Sequence, residues 1–214
     1  MERILGQRQR VLVRQVKEWG EILLGFESRN RYDLLDEDGS VIGHAAEEGG
    51  GLGRILLRNF LGTCRAATFH FYDKDGQEVG HGVKPFRFYF HRLEVFDSAT
   101  KLGAVQRKWA WFSRKFVLED ENGNEMLQIV SPFFRIWTFK LLLDGQEVGR
   151  IAKKWGGVLR EMFTDADTFG VEFGHPKLPL ALKKMLLAAV FLVDMTCFEN
   201  NQGRGGTLLD AASS

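Results

Sequence analysis

The chain has 214 residues, 44% of them hydrophobic and only four of them proline, which is enough apolar material for a folded core and excludes a disordered chain. Its 29 Lys and Arg nearly balance its 28 Asp and Glu, so the whole-chain charge gives no argument for binding nucleic acid or anionic lipid. The cysteines, Cys64 and Cys197, form no CxxC or Cys/His pattern, which argues against a disulfide scaffold or a zinc site and favours a reducing compartment.

The sequence divides into three parts. Residues 1–27 are predicted to form an N-terminal segment, and residues 28–200 a single β-rich domain that includes an apolar helix over residues 178–198. Residues 201–214 are rich in Gly and Ser and are predicted to be a disordered tail.

A hairpin unit recurs through the β-rich part. Close copies begin at Arg31, Thr68 and Thr138, and looser copies begin at Arg92 and Lys115. Each close copy has an alternating apolar run, a tight turn and a second apolar run, a pattern typical of half-buried strands. The turns carry the residues that tolerate positive φ, at Asp38-Gly39, Asp75-Gly76, Asn122-Gly123 and Asp144-Gly145. Five hairpins predict about ten antiparallel strands, and a sheet of that size must close into a barrel or split into a sandwich.

Three segments combine aromatic and basic residues: 85–92, 108–115 and 132–137. On alternating strands the aromatic rings would line the core and the basic residues would face water, and this is the preferred interpretation. Two alternatives remain, a bilayer interface with cations on lipid phosphates and stacking on single-stranded nucleic acid, of which the second is less favoured. The candidate lipid contacts in these segments are Arg87, Arg92, Lys108, Trp109, Trp111, Arg114, Lys115, Arg135 and Trp137.

Two carboxylates, Asp165 and Asp167, lie two residues apart, as at the start of a calcium-binding loop. A complete loop of that kind ends in a bidentate acid at its twelfth position, where this chain has Pro176. A turn or a helix cap is the commoner structure for such a pair.

The segment 178–198 is apolar on nearly every face, so it must lie inside protein or inside a bilayer. Lys183, Lys184 and Asp194 leave it well short of the roughly 18 unbroken apolar residues of a membrane-spanning helix. Burial within the β structure is therefore favoured. The helix residues expected in the core are Leu187, Val190, Phe191 and Val193, with Asp194 next to them.

No catalytic pattern is visible. The five histidines are scattered and none is spaced to pair with a nucleophile or a second metal ligand. An enzyme is therefore not predicted.

The residues from Arg150 to Phe173 (R-I-A-K-K-W-G-G-V-L-R-E-M-F-T-D-A-D-T-F-G-V-E-F) resemble the signature region of phospholipid scramblases. The run from Ala188 to Glu199 (A-A-V-F-L-V-D-M-T-C-F-E) resembles the C-terminal helix of the same family. The resemblance extends over roughly residues 28–200.

The resemblance implies a tubby-like fold, a closed antiparallel barrel of about twelve strands around a central hydrophobic helix. It also implies a calcium segment from Asp165 to His175, and the candidate ligand positions are Asp165, Asp167, Phe169, Val171 and Phe173. Because Pro176 replaces the terminal acid, calcium is expected to bind weakly. No other cofactor is expected.

The expected function is therefore that of a scramblase-like protein on the cytoplasmic face of a membrane. It would bind phospholipids and move them between leaflets without energy input or covalent chemistry. The resemblance implies calcium as a trigger, and Pro176 argues against that dependence. The alternative is a soluble tubby-like module that recognises lipids, proteins or DNA and moves no lipid. The expected partner is a phospholipid surface, with protein partners as a further expectation and nucleic acid disfavoured.

Overall fold

The structure is a computed structural model that describes residues 1–16, 28–49, 62–132, 134–135, 137–153, 168–174 and 178–197. A short helix α1 (Glu2–Leu5) precedes the strands, a 3-10 turn (Gly62–Cys64) precedes β4, and helix α2 (Leu180–Cys197) follows the last strand. The strands are β1 (Arg10–Val16), β2 (Ser28–Leu35), β3 (Val41–Glu48), β4 (Ala67–Asp73), β5 (Glu78–Lys84), β6 (Arg92–Asp97), β7 (Thr100–Lys108), β8 (Ser113–Glu119), β9 (Glu125–Pro132), β10 (Thr138–Leu143), β11 (Gln146–Ala152) and β12 (Thr168–Phe173).

These twelve strands form a closed barrel in which every strand pairs antiparallel with its neighbours in sequence. The barrel closes where β12 pairs with β1, for example at Val13 and Phe169. Closure removes the free edges that an open sheet of this size would expose. The prediction of a closed antiparallel barrel of about twelve strands is confirmed.

Strand β1 lies within the segment 1–27 that the sequence prediction separates from the barrel, which it begins at Ser28. The run Arg10–Val16 has no turn residue and no hairpin partner next to it in sequence, so the hairpin pattern does not reveal it. Its partners are β2 and, from the other end of the chain, β12.

The repeated hairpins share a β-bulge just after the turn, and this bulge explains the glycine that ends the repeat. In the β10–β11 hairpin, Leu141 pairs with Gly149 and Leu142 with Glu147, so Val148 is the extra residue. In the β6–β7 hairpin Leu102 is the extra residue, and Gly103, with a φ of 144°, corresponds to Gly149. A Cβ on Gly103 would lie within 2.1 Å of the carbonyl oxygen of Glu119 on the next strand. Only glycine allows the strands to approach this closely.

Helix α2 fills the barrel. Leu187, Val190, Phe191 and Val193 are all buried, as the apolar character of the segment requires. The Phe191 ring is the centre of an aromatic group, with ring centroids 5.0 Å from Tyr32, 5.3 Å from Phe69 and 5.5 Å from Phe71. The core therefore lies between the helix and the inner faces of the strands.

Contacts at the start of α2 set its direction. Lys183 donates to the carbonyl oxygens of Gly6 and Arg8, and Lys184 forms an ion pair with Asp97 at the end of β6. The helix therefore enters at the end of the barrel where the short hairpin turns and α1 lie. Its last residue, Cys197, is at the opposite end.

The two ends of the barrel differ because connections between consecutive antiparallel strands alternate between ends. One end, which we call the hairpin end, carries the tight turns of β2–β3, β4–β5, β6–β7, β8–β9 and β10–β11. The other end, which we call the loop end, carries the connections β5–β6, β7–β8 and β9–β10. The described residues of these three connections are 85–91, 109–112, 134–135 and 137, so the aromatic-basic segments meet at one end of the molecule.

Candidate functional site

Exposed aromatic side chains are concentrated at the loop end. Among the described residues, every exposed aromatic side chain belongs to one of the three connections just named. The most exposed are Phe112 at 85%, Phe134 at 83%, Tyr89 at 79% and Trp111 at 78% of their surface. The full set is Phe86, Phe88, Tyr89, Phe90, Trp109, Trp111, Phe112 and Phe134.

The preferred sequence interpretation, that these rings line the core, is wrong for this set. The strands end before the rings: β7 ends at Lys108 and β8 begins at Ser113, so Trp109 and Trp111 lie on a connection. Their indole rings contact each other at 5.8 Å between centroids, in an edge-to-face arrangement. Trp137, next to β10, is the exception because it is half-buried and has the Lys153 ammonium 6.0 Å from its ring.

Hydrogen bonds hold the connection 85–91 in a defined conformation. The Arg87 amide donates to the Cys64 carbonyl oxygen (3.0 Å), and the Gln106 side chain donates to the carbonyl oxygen of Phe90 (2.7 Å). Phe90 itself has a φ of 52°, which turns the chain sharply before β6. The aromatic rings are therefore presented by an anchored loop.

Two of the predicted lipid-contact cations are engaged on the outer wall of the barrel. Arg92 and Lys108 both form ion pairs with Glu119, at 2.5 Å and 2.7 Å. Burial raises the pKa of the Glu119 carboxyl, but hydrogen bonds from Lys108 and Arg92 outweigh it and hold the pKa below its usual range. These two cations stabilise a carboxylate on the wall and are less available to a ligand.

The other predicted cations lie nearer the mouth of the barrel. Arg87 and Arg135 are exposed, whereas Arg114 and Lys115 are half-buried. Arg114 pairs in register with Ser131 and faces the interior, whereas Lys115 pairs with Val130 and faces outward. The loop end therefore combines exposed rings with nearby cations.

A layer of polar side chains, which sequence reasoning did not identify, lies inside the barrel at the loop end. Gln15 donates to Asn30 (3.3 Å), Asn30 donates to Glu47 (2.7 Å), and Arg65 forms a buried ion pair with Glu47. The Lys84 ammonium donates to the carbonyl oxygen of Arg65. We call this set the polar layer, and its members are Gln15, Asn30, Glu47, Arg65, Lys84, His91, Arg107, Arg114, Ser131 and Lys153.

A signal for the polar layer does exist in the sequence. The inward-facing residues of β4 are Phe71, Phe69 and Ala67, and two residues further back the same alternation reaches Arg65. On β6 the alternation of Val95 and Leu93 leads in the same way to His91. Reading the period of two past the last apolar residue of each strand would have found the layer.

His91 is the buried base of the polar layer. Its side chain is 3% exposed, and no atom of the described residues hydrogen-bonds to its Nδ1. Burial, and then the charges of Lys84, Arg107 and Arg87, lower the pKa of His91 to about 4. The imidazole is therefore neutral at pH 7.

The candidate calcium ligands are only partly described. Asp165 and Asp167 lie outside the described residues. Phe169, Val171 and Phe173 lie on β12, with their side chains in the core and the strand paired to β1 and β11. In the described part of the chain, no three His, Cys, Asp or Glu residues form a group that could hold a metal ion.

The C-terminal helix residues singled out from the sequence are described in full. Asp194 is half-buried, one residue beyond the buried Val193. Burial raises the pKa of Cys197, against a hydrogen bond with Thr196 and the charges of Arg107 and Arg114, which lower it. The end of α2 therefore lies among cations of the polar layer.

Within the described residues, no helix has the length and hydropathy required to cross a bilayer.

Comparison with known proteins gives consistent matches. Phospholipid scramblase 1 of Mus musculus is 31% identical over 220 residues, which cover 94% of this chain and 66% of the mouse protein. Phospholipid scramblase 1 of Homo sapiens is 31% identical over 211 residues, covering 92% of this chain and 65% of the human protein. A phospholipid scramblase family protein of Schizosaccharomyces pombe is 28% identical over 180 residues, covering 79% of this chain and 47% of the yeast protein.

This chain thus spans slightly less than two thirds of the length of the mammalian relatives. No solved structure gives a significant match. The family model described as Scramblase matches residues 2–200, nearly the whole chain, and the chain therefore belongs to the phospholipid scramblase family.

Proposed function

We propose that this chain binds phospholipid bilayers through the loop end of its barrel and mediates energy-independent movement of phospholipids between the leaflets. The observation that carries the proposal is the collection of exposed aromatic rings at one end of the molecule, eight in the described residues. Tryptophan and tyrosine rings are favoured at the depth of the lipid headgroups, where neighbouring cations contact phosphates. Family membership supports the assignment to phospholipids.

The proposed activity requires no covalent chemistry. The barrel supplies a surface that binds lipid, and the lipid that leaves is chemically the same as the lipid that enters. The name of the family, phospholipid scramblase, refers to this class of activity. We also place the protein on the cytoplasmic face, because both cysteines are free thiols, as expected in a reducing compartment.

The test is flotation of the purified protein with neutral and anionic vesicles, followed by a lipid-flip assay on the same vesicles. A variant with Trp109→Ala, Trp111→Ala and Phe112→Ala should lose binding by more than about tenfold, because each large ring contributes apolar area. The control is Val41→Ala, an exposed apolar side chain at the hairpin end, which should leave binding unchanged. Equal binding by the triple variant and the wild type would contradict docking through the loop end.

A second candidate function is a tubby-like recognition module that binds lipid and moves none. The burial of α2 inside the barrel favours it, because a helix packed on all sides by strands is not free to enter the bilayer. The flip assay separates the two candidates: vesicle binding without accelerated flip selects the module.

We further propose that calcium binds this chain weakly, through Asp165 and Asp167. The last ligand position, where a bidentate acid is expected, is occupied by Pro176. The site therefore lacks one negative charge and two oxygen ligands. The dissociation constant should therefore be about 1 mM or higher. Titration calorimetry checks this, and micromolar binding that Asp165→Asn abolishes would contradict it.

A further inference from the structure

The polar layer carries more positive than negative groups. Its members include five cations and one carboxylate, Glu47. The C-terminal end of α2, the negative end of the helix dipole, lies among them and attracts such cations. Among the described residues, the mouth of the barrel at the loop end therefore has an excess of positive charge, even with the Asp194 carboxylate on the last turn of α2 counted.

Two cations at this mouth differ from most of those elsewhere on the barrel. Most basic side chains on the walls pair with carboxylates, as Arg8 does with Asp36 and Lys140 with Glu147. Arg87 and Arg107 form no ion pair with a carboxylate of the described residues. Arg87 is exposed and Arg107 is half-buried, so a solute can approach the pair from solvent.

His91 lies beside these two arginines. Its carbonyl oxygen accepts a hydrogen bond from the Arg107 amide (2.8 Å), and Arg87 is four residues before it in the same connection. A buried ring nitrogen without a hydrogen-bond partner is uncommon in folded proteins, and it indicates a group that is completed by a ligand or a proton.

We propose that Arg87, Arg107 and His91 form a binding site for the phosphate group of a phospholipid headgroup at the mouth of the barrel. The two guanidinium groups bind the phosphate oxygens, a geometry for which arginine is better suited than lysine. The connection 85–91 and the connection 109–112 flank the site and carry the exposed aromatic rings.

This site rests on the proposed docking at the loop end, because the aromatic rings would bring the headgroups to the depth of the mouth. The site is more specific than the docking surface, because it consists of three residues that bind one chemical group, a phosphate. A surface that only attracts anionic membranes would need no buried base.

The buried base gives the site a pH dependence. The charged groups acting on His91 within the described residues are Lys84 at the end of β5, Arg107 on β7 and Arg87 in its own connection, and all are cations. A bound phosphate opposes these charges and raises the pKa of His91 from its low value. Phosphate binding then takes up a proton, so affinity should increase as the pH is lowered from 8 to 6.

The test uses NMR of the His91 imidazole in the full chain without membranes, with the signals assigned by their loss in His91→Gln. The probes are dihexanoyl phosphatidylserine below its micellar concentration, dihexanoylglycerol, which lacks phosphate, and inorganic phosphate. The phosphatidylserine should shift the His91 signals saturably, and more tightly at pH 6 than at pH 8. Dihexanoylglycerol should not shift them.

Two variants and one control accompany the titration. Arg107→Gln and Arg87→Gln should each weaken phosphatidylserine binding at least about tenfold, since each removes a charged hydrogen-bond donor. The control is Lys74→Gln, an exposed cation in the β4–β5 turn at the hairpin end, which should bind as the wild type does. Arg107→Lys keeps the charge, so it should retain part of the affinity for phosphatidylserine. This variant tests the role of Arg107 even if Arg107→Gln folds less well.

The absence of a saturable shift with phosphatidylserine, or unchanged affinity in both Arg variants, would overturn the site. Inorganic phosphate bound as tightly as the lipid would overturn its assignment to a lipid headgroup. The site and the docking proposal fail separately: flotation without a His91 response leaves docking intact, and a His91 response without flotation leaves the site intact.

Discussion

A neutral histidine among cations has a consequence for folding as well as for binding. In the unfolded chain His91 titrates near its ordinary pKa of 6.5, whereas in the folded protein burial and three neighbouring cations lower the pKa to about 4. Between these values the unfolded state binds more protons than the folded state. The contribution of neutral His91 to the free energy of unfolding is therefore fully present above pH 6.5 and is lost as the pH falls towards 4.

We predict that the free energy of unfolding of the wild type falls by about 2 kcal/mol between pH 7.5 and pH 5 because of this one group. In His91→Gln this part of the pH dependence should disappear, since glutamine does not titrate. Urea denaturation at several pH values measures both. The Asp33 and Glu119 carboxyls, whose pKa values are lowered by their hydrogen bonds against the effect of burial, lose their contribution only at lower pH. An identical pH slope in the two proteins would show that His91 is not buried as described.

At the scale of a hairpin, the bulge makes one glycine much less replaceable than another. Gly103 has a φ of 144°, and its Cβ position is blocked by the Glu119 carbonyl oxygen, whereas Gly123 in the β8–β9 turn has a φ of 86° and open space around it. We predict that Gly103→Ala lowers the free energy of unfolding by more than about 2 kcal/mol, through strain and the displaced strand. Gly123→Ala should cost about 1 kcal/mol, the backbone term alone.

Thermal and urea unfolding of the two alanine variants compare these costs directly. Because both replace glycine at positive φ, the difference between them isolates the contact with the neighbouring strand. Equal destabilisation would mean that the strands at the bulge separate easily.

The central helix is the element with the largest share of the core. Leu187 is completely buried on it, whereas Ala181 in its first turn is exposed. We predict that Leu187→Asp unfolds the protein, because an unpaired charge in this core costs several kcal/mol, and that Ala181→Asp remains folded. Circular dichroism and gel filtration report the outcome. A folded Leu187→Asp that merely leaves the membrane fraction would contradict the central-helix arrangement.

The elements that the sequence predicts well are those with local signals. Alternation and Asp-Gly turns identify the hairpins, and the all-round apolar character of the segment 178–198 predicts a buried helix, which begins at Leu180 and ends at Cys197. Strand β1 has no such signal, because residues 17–27 separate it from β2 and its other partner, β12, comes from the far end of the sequence.

The candidate site was harder to predict because it depends on where strands end. Trp109 and Trp111 have the spacing of same-face strand residues, yet they lie one and three residues past the end of β7. The polar layer joins residues as far apart in sequence as Gln15 and Lys153, and only barrel closure brings their strands to one mouth. The sequence shows which residue types are present, but only the strand topology shows that they lie close together.

At the scale of the whole molecule, the two ends of the barrel have different chemistry. The hairpin end has short turns, the paired Lys184 and Asp97, and the short helix α1 packed beneath it. The loop end has exposed rings and the mouth of the polar layer. A net charge of +1 hides this asymmetry, because most of the wall cations are balanced locally.

The asymmetry predicts which cations determine attraction to anionic vesicles. Arg87, Lys115 and Arg135 lie at the loop end without an ion-pair partner among the described residues. Lys108, by contrast, already contacts Glu119. Each free cation near an anionic surface contributes about 1 kcal/mol, so replacing all three by Gln should weaken binding by more than about tenfold at physiological salt.

The matched control removes the same charge from other parts of the surface, with Lys74→Gln, Lys101→Gln and Lys140→Gln. Lys101 and Lys140 are paired with Glu94 and Glu147, and Lys74 lies at the hairpin end. If net charge alone governed binding, the two triple variants would bind equally weakly. If the loop end faces the bilayer, only the first should lose affinity, and its deficit should shrink as salt rises, since the Debye length is already about 8 Å at 0.15 M. Co-sedimentation with anionic vesicles at several salt concentrations, after circular dichroism has verified both folds, distinguishes the two cases.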